Sequence, residues 1–409
     1  MRTRHLKITS SIFALAVAFN GASAAAQEMP SAMELWKTIQ NQQTAISSLE
    51  QKLGDAELMA EATATAMEAS MNSISSGSKT SLGGYGELHY NGGKTDKIDY
   101  HRYVLFVGHE FNSKMRFFSE FELEHSLAGD GKPGEVELEQ AYVEFDLNDK
   151  TTTSVGLQLV PVGILNETHE PPTFYGVERN AVEKNIIPST WWEAGVKFTG
   201  KLGTKVTYDA MMHSGLMTPT TGSNAFLIRK GRQKVANAKW KNTAYTGRLS
   251  WMPAPGVNFG VSVQHQDDLT QSQGLSGTAA SATLFTGHAD IKRQISSSIE
   301  IGVRALYAQW KLNGTGAALL GRDKQKGWYI EPSYKYSFGN GQAFGTFIRL
   351  SAYDNNAGNV TATENKQTTV GVNYWPHPNV VIKADYQIDN MANVTKDDNR
   401  INLGIGVMF

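Results

Sequence analysis

The chain contains no cysteine, which excludes a disulfide scaffold and any thiolate metal centre. Charge is scarce: 19% of the 409 residues are Asp, Glu, Lys or Arg, below the roughly one quarter of an ordinary soluble domain. Neither sign prevails, with Lys+Arg 38 against Asp+Glu 39, so a strongly basic nucleic-acid binder is excluded. Beyond the first twenty-odd positions no apolar run reaches the ~18 residues that a membrane-spanning helix needs. A glycine-rich phosphate loop, His-Glu-x-x-His and Gly-x-Ser-x-Gly are all missing. The 10 histidines are scattered. No catalytic set, metal centre or cofactor is therefore expected, and the chain does not read as an enzyme.

What is present begins with a processing segment. Arg2, Arg4 and Lys7 form a basic region, Ile12 to Phe19 an apolar one, and Ala22-Ser23-Ala24 and Ala24-Ala25-Ala26 are small-residue cleavage sites. Residues 1–26 are expected to be a signal peptide. Its removal takes away three basic residues and no acid, moving the formal charge from −1 to −4. Residues 27–72 then predict a periplasmic coiled-coil helix. Ile39, Ile46, Leu53, Ala60 and Met67 fall at a, and Leu35, Leu49 and Ala56 at d, while Gln42 and Thr63 interrupt d. Isoleucine at a with leucine at d leans towards two strands. Packing against the same chain is the alternative, but the opposite face, with Gln40, Gln43, Ser47, Glu50 and Gln51, is polar. Residues 73–81, rich in serine and glycine, read as a linker.

From Leu82 to Phe409 the hydrophobic period is two. In Val257–Gln266, Val257, Phe259, Val261 and Val263 share one face, and Asn258, Ser262, Gln264 and Gln266 the other. In Arg400–Phe409, Ile401, Leu403, Ile405, Val407 and Phe409 alternate with Arg400, Asn402, Gly404 and Gly406. Alternation over about ten residues fits a strand spanning the outer membrane, whereas strands of soluble sheets average five or six. Sixteen such segments begin near residues 82, 98, 114, 135, 152, 190, 204, 243, 257, 282, 298, 326, 341, 366, 379 and 399. Tight turns alternate with longer polar links such as 161–189, 214–242, 267–281, 311–325 and 354–365. The predicted fold is all-β: a 16-stranded antiparallel transmembrane β-barrel preceded by a short α-helical coiled coil. Unpaired strand edges in lipid force closure, and a barrel of this size encloses an aqueous channel. Tyr245, Trp251, Tyr307, Tyr334, Tyr336, Tyr374 and Trp375 lie near strand ends as candidate interfacial girdles.

Val155-Gly156-Leu157-Gln158-Leu159-Val160-Pro161-Val162-Gly163, followed by Thr190-Trp191-Trp192-Glu193-Ala194-Gly195, resembles the phosphate-selective porin O and P family. The N-terminal heptad helix and the run Asn224–Ala236 look more like its DcaP-like branch. The resemblance implies a homotrimer of sixteen-stranded porins, each with a third loop folded into its lumen, and a preference for anionic solutes: phosphate or pyrophosphate in one branch, dicarboxylates in the other. The lysine-rich entry loops of the phosphate branch are not evident here.

Charge placement bears on selectivity. From Ala210 to Gln266 there is no acidic residue, yet Arg229, Lys230, Arg232, Lys234, Lys239, Lys241 and Arg248 are present. Such a run is either a solvated surface, a lipopolysaccharide contact, or part of an anion path. Arg102, Arg116 and Arg248, on polar phases of their strands, are candidate wall positions in that path, joined by Arg229, Lys230, Arg232 and Lys234. Glu120, Glu122 and Glu124 share the phase of Arg116, with Glu135, Glu137 and Glu139 on the next strand, so a transverse field or wall-to-wall pairing is also expected. The 161–189 link carries Glu167, His169, Glu170, Glu178, Arg179, Glu183 and Lys184, stiffened by Pro171-Pro172 and Pro188. A link of this length in a compact unit points to function, and inward folding as a constriction loop is the reading adopted. The expected partners are small anionic solutes, outer-membrane lipid and lipopolysaccharide, and peptidoglycan through the coiled coil. An envelope tether or a non-selective pore are the alternatives.

Overall fold

The computed structural model describes residues 33, 36, 37, 40–43, 79–272, 278–361, 363–392 and 398–409. The chain divides into a unit spanning Met1–Ala64 and a second spanning Thr65–Phe409. In the first, the described residues Met33, Trp36, Lys37 and Gln40 to Gln43 are helical and exposed. The signal segment, the heptad seam and most of the linker lie outside the described residues.

The second unit is a closed barrel in which every strand pairs antiparallel with its sequence neighbours and the last returns to the first. Its strands are β1 (Thr80–Gly92), β2 (Lys97–Asn112), β3 (Met115–Glu124), β4 (Val136–Asn148), β5 (Thr151–Leu159), β6 (Trp192–Leu202), β7 (Val206–His213) and β8 (Ala244–Ala254). The second half comprises β9 (Val257–Gln266), β10 (Ser281–Gln294), β11 (Ile299–Asn313), β12 (Lys324–Ser337), β13 (Ala343–Asp354), β14 (Asn365–His377), β15 (Val380–Asn390) and β16 (Arg400–Met408). Two short helices interrupt the links, α1 (Ala181–Asn185) and α2 (Thr315–Leu319). Each strand starts within two residues of its expected position. Turns at one end are tight, and links at the other are mostly long. The exception is the β1–β2 link, only residues 93–96.

Side-chain alternation follows the solvent on each side. In β9, Val261 and Val263 are exposed on the outer surface, while Ser262, Gln264 and Gln266 are buried within the barrel. In β16, Ile401, Leu403 and Ile405 face out and Asn402 is wholly buried. Tyr245, Trp251, Tyr307, Tyr334 and Tyr336 are exposed, as a girdle requires. Trp375 departs from that expectation. It shares the inward phase of Asn373, is 5% exposed, packs edge-on to Tyr175 and lies under the Lys335 ammonium at 4.5 Å.

Two β-bulges matter for the interior. Between Glu87 and Leu88 the β1–β2 register slips, so His101 and Arg102 both turn into the lumen. Between Glu120 and Phe121 the β3–β4 register slips, and Glu139 and Gln140 both face inward. An extra residue in one strand breaks strict alternation and re-aims a side chain.

The barrel closes at the chain terminus. The Gly84 amide donates to the Phe409 carbonyl at 2.8 Å, and the Phe409 amide donates back at 2.9 Å. A Cβ at Gly84 would lie 2.2 Å from the Val104 carbonyl oxygen, so β2 could not keep its place. Overpacking of this kind costs about 1–3 kcal/mol or more. Gly84→Val is expected to reduce the fraction of chain reaching the folded, heat-modifiable form on electrophoresis, whereas Gly287→Val, with open space at the Cβ, leaves it unchanged.

Candidate functional site

The segment between β5 and β6 leaves the wall and crosses the barrel interior. Thr173 and Tyr175 offer their carbonyls to Arg304 Nη2 (3.1 Å) and Arg349 Nη2 (2.6 Å) on β11 and β13. The Gly176 carbonyl accepts from Lys383 Nζ at 2.8 Å, and the Val177 amide donates to Asp385 Oδ2 at 2.7 Å, both on β15. Farther on, Glu178 accepts from Asn91 Nδ2 at 3.0 Å on β1, and Trp310 Nε1 on β11 donates to the Ile186 carbonyl at 2.8 Å. The sequence makes this path possible locally. Pro171 and Pro172 open a 3₁₀ turn, and Asn180 Oδ1 caps α1 by accepting from the Val182 amide at 2.7 Å. Glu183 is a buried internal brace: its carboxylate accepts from the Leu165 and Ile164 amides and from the Tyr329 hydroxyl, at 2.7, 3.0 and 2.7 Å. Burial outweighs those bonds and raises its pKa.

The link between β7 and β8 also folds inward. Leu216, Phe226 and Ile228 join Val182, Ile186 and Ile187 of the first segment in one apolar cluster against Leu284, Leu306, Trp310 and Tyr329 of the wall. Full burial of each large side chain is worth about 1.5–3 kcal/mol. One side of the lumen is thus packed protein.

Several sequence-picked cations have their charge neutralised locally. Arg102 pairs with Glu87 at 2.8 Å and Glu122 at 3.5 Å. Arg116 pairs along the wall with Glu144 at 2.5 Å and Asp146 at 2.7 Å. Arg248 links Asp209 at 2.7 Å to Glu167 of the inward segment, and Lys234 bridges Glu135 and Glu137. His169 sits between Glu120 and Glu139, at 3.4 and 3.6 Å. Burial and Arg179 oppose its protonation, but the two carboxylates prevail and raise it to about 10. Glu170 is buried and raised by burial. Glu178, half-buried, is held well below the usual carboxylate range by its hydrogen bond to His89, against the desolvation that would raise it.

A second set of cations lacks such compensation. Arg179 Nη1 donates to Thr190 Oγ1 at 2.6 Å, leaving Nε and Nη2 without partners. Arg229 Nη1 donates to the Lys184 and Ser189 carbonyls at 2.6 and 2.9 Å, and Arg232 Nη1 to the Thr190 carbonyl at 2.5 Å. Among the described residues none of these three guanidinium groups forms an ion pair with a carboxylate. Burial, then Arg232 and Arg179, push Arg229 well below its ordinary value; burial likewise lowers Arg232. Lys184 is lowered by crowding of the protein around it, against Glu178, with Arg229, Arg102 and Arg179 adding to the fall. Yet Lys184 is exposed to solvent. Lys230 is exposed too. The arrangement is a cationic cluster, Arg179–Lys184–Arg229–Arg232, where the two inward segments meet. Guanidinium forks with free donors in a partly dehydrated setting are suited to carboxylate or phosphate.

The sequence model of the family described as phosphate-selective porin O and P matches residues 82–409, the whole barrel. The chain belongs to the phosphate-selective porin O and P family. It is therefore an outer-membrane channel protein. An uncharacterized protein of Aquifex aeolicus (strain VF5) is 30% identical over 371 residues, covering 80% of each chain. Among solved structures, the outer membrane channel DcaP of Acinetobacter baumannii is 13% identical with a TM-score of 0.53, over 81% of this porin and 97% of that chain. The anion-selective porin from Comamonas acidovorans is 9% identical with a TM-score of 0.54, over 81% and 100%. Salmonella typhi OmpF is 14% identical with a TM-score of 0.55, over 81% and 98%. At these identities the likeness shows a shared barrel fold alone.

Sequence reasoning missed the anchors on the far wall, Arg304, Arg349, Lys383 and Asp385, and the inner pair Glu87 and His89. The signal was available. Arg349 stands between Ile348 and Leu350, and Lys383 between Ile382 and Ala384, so a charge in the middle of a lipid-facing phase pattern has to point inward.

Because its pKa is lowered, Lys184 loses its charge at a pH below that of an ordinary lysine near 10.5. Anion preference in planar bilayers is expected to decline as pH rises into that range. Lys184→Arg should make the decline shallower over the same pH span, as read from reversal potentials.

Proposed function

We propose that this porin passes small hydrophilic anions by passive diffusion, with dicarboxylates or phosphate as the solute class. The observation that carries the reading is the set of guanidinium groups on Arg179, Arg229 and Arg232 that face the meeting of two inward segments with no carboxylate partner among the described residues. The 161–189 segment acts as the constriction that sets the size limit, since its hydrogen bonds reach strands on the far wall. Glu124 and Glu137 bear on Arg232 from the other side. A solute with separated charges would be oriented by that field while its anionic end follows the arginines.

In the same reading, residues 1–26 are removed on export, residues 27–72 form a periplasmic coiled coil that can reach peptidoglycan, and residues 73–81 link it to the wall. Three copies assemble side by side, with lipid and lipopolysaccharide around them. A non-selective pore is the second reading, favoured by the ion pairing of Arg102, Arg116, Lys234 and Arg248.

Changing Arg229 and Arg232 together to Ala should lower the anion-to-cation permeability ratio. Two charges each worth about 0.5–1 kcal/mol to a passing ion in a partly aqueous lumen correspond to roughly fivefold to thirtyfold. The double Lys variant should retain most of the preference. Unchanged reversal potentials under a salt gradient in the Ala variant would favour the non-selective pore.

A further inference from the structure

Behind the inward segment, against β1, β3 and β4, lies a group of polar side chains that solute passage does not use. Glu120, Glu139 and His169 are 1%, 2% and 2% exposed, and Glu122 beside them is fully buried. The contacts are peculiar in length. His169 Nε2 is 3.4 Å from Glu120 Oε1 and 3.6 Å from Glu139 Oε2, well beyond the ~2.7–2.9 Å of a charge-assisted hydrogen bond. Glu139 Oε2 accepts no hydrogen bond, and the buried Tyr85 hydroxyl, whose ring meets the His169 ring edge-on at 6.0 Å, has no partner either.

The two His169 spacings are close to another geometry. Donors bound at ~2.0–2.1 Å to a tetrahedral ion stand about 3.3 Å apart. All three ligand atoms here lie within 4.8 Å of one another. The supporting bonds also fit. His169 Nδ1 faces the Asn166 carbonyl at 3.2 Å and donates to it, so a bound ion would have to displace only the Nε2 proton that the two carboxylates otherwise hold. Glu120 Oε2 accepts from Gln140 Nε2 at 2.7 Å. Metal-ligating imidazoles and carboxylates are oriented by outer hydrogen bonds of this kind. The bulge that turns Glu139 and Gln140 inward together supplies one ligand and one such orienting group.

We propose that Glu120, Glu139 and His169 bind one divalent transition-metal ion, of which Zn²⁺ is the representative, tying the start of the 161–189 segment to β3 and β4. Two carboxylates and one imidazole suit zinc or manganese better than calcium or magnesium. The ion would neutralise both ligating carboxylates, leaving Arg102 to pair with Glu87 and Glu122. A second three-donor group, Asp99, His101 and His125, is less suited. There the Arg102 guanidinium donates to His101 Nε2 at 2.8 Å and places a positive charge on the ligand.

The test uses the full chain purified in detergent, stripped with chelator, reloaded with Zn²⁺ or Co²⁺, and dialysed. The expected result is one retained metal per chain by mass spectrometry. Bound Co²⁺ should also give the intense visible absorption of four- or five-coordination in the unaltered protein. His169→Asn and Glu139→Gln, each checked for heat-modifiable folding, should lower retained metal by at least about tenfold, while Asp99→Asn should not. Absence of retained metal and of the cobalt spectrum in the unaltered chain would overturn the proposal. So would equal retention by the His169 and Glu139 variants.

Discussion

In a bilayer the backbone has no water to bond to, so every N–H and C=O at membrane depth must find its partner within the protein. All sixteen strands obey this by pairing with both neighbours, and the seam between β1 and β16 is completed by the last residue of the chain. Closure dictates the rest. Once the sheet returns on itself, alternate side chains are committed to lipid or to the lumen, and polar residues gather inside without a soluble core to exclude them. The interior is then wide enough for two connecting segments to enter, and the wall supplies their hydrogen bonds.

Those segments are held in two different ways. On the side of β10 to β12 they share an apolar cluster with the wall, centred on Trp310, Ile186 and Phe226. Elsewhere they are held by charge and hydrogen bonding: Arg304, Arg349 and Lys383 seize backbone carbonyls, and Glu178, Glu167 and His169 reach opposite charges on the wall. Cations that pair with wall carboxylates serve to fix the fold. Those that donate only to backbone or hydroxyl oxygens, Arg179, Arg229 and Arg232, keep charge available to a solute. The distinction is one of partner, not of residue type, and it is the physical basis for the proposed anion path.

The barrel was legible in the sequence because period-two alternation and alternating link lengths are imposed by lipid and by topology. Trp375 shows where a simple positional rule failed: nearness to a strand end suggested a girdle, but phase placed it inside. The interior was less legible for a physical reason. Each bulge inserts one residue and flips the phase beyond it, so His101 with Arg102, and Glu139 with Gln140, could not be assigned from alternation alone. Nor does spacing reveal that Val182, Ile186 and Leu216 pack within the lumen, since their partners lie on strands far along the chain. The cations at 229 and 232 were readable as a one-sign run, but their separation from Lys234 and Arg248, which are ion-paired, needed three-dimensional contacts.

The central claim is a lipid-embedded cylinder with an aqueous interior, and the natural lack of cysteine makes it directly measurable. Single cysteines placed in turn along β9, Val257–Gln266, in protein reconstituted into vesicles can be reacted with a membrane-impermeant maleimide and, separately, with a lipophilic one. The account predicts period-two labelling: positions 261 and 263 react with the lipophilic reagent, and 262 and 264 are protected from it. Uniform labelling of all positions by the impermeant reagent would contradict the barrel's placement in the bilayer.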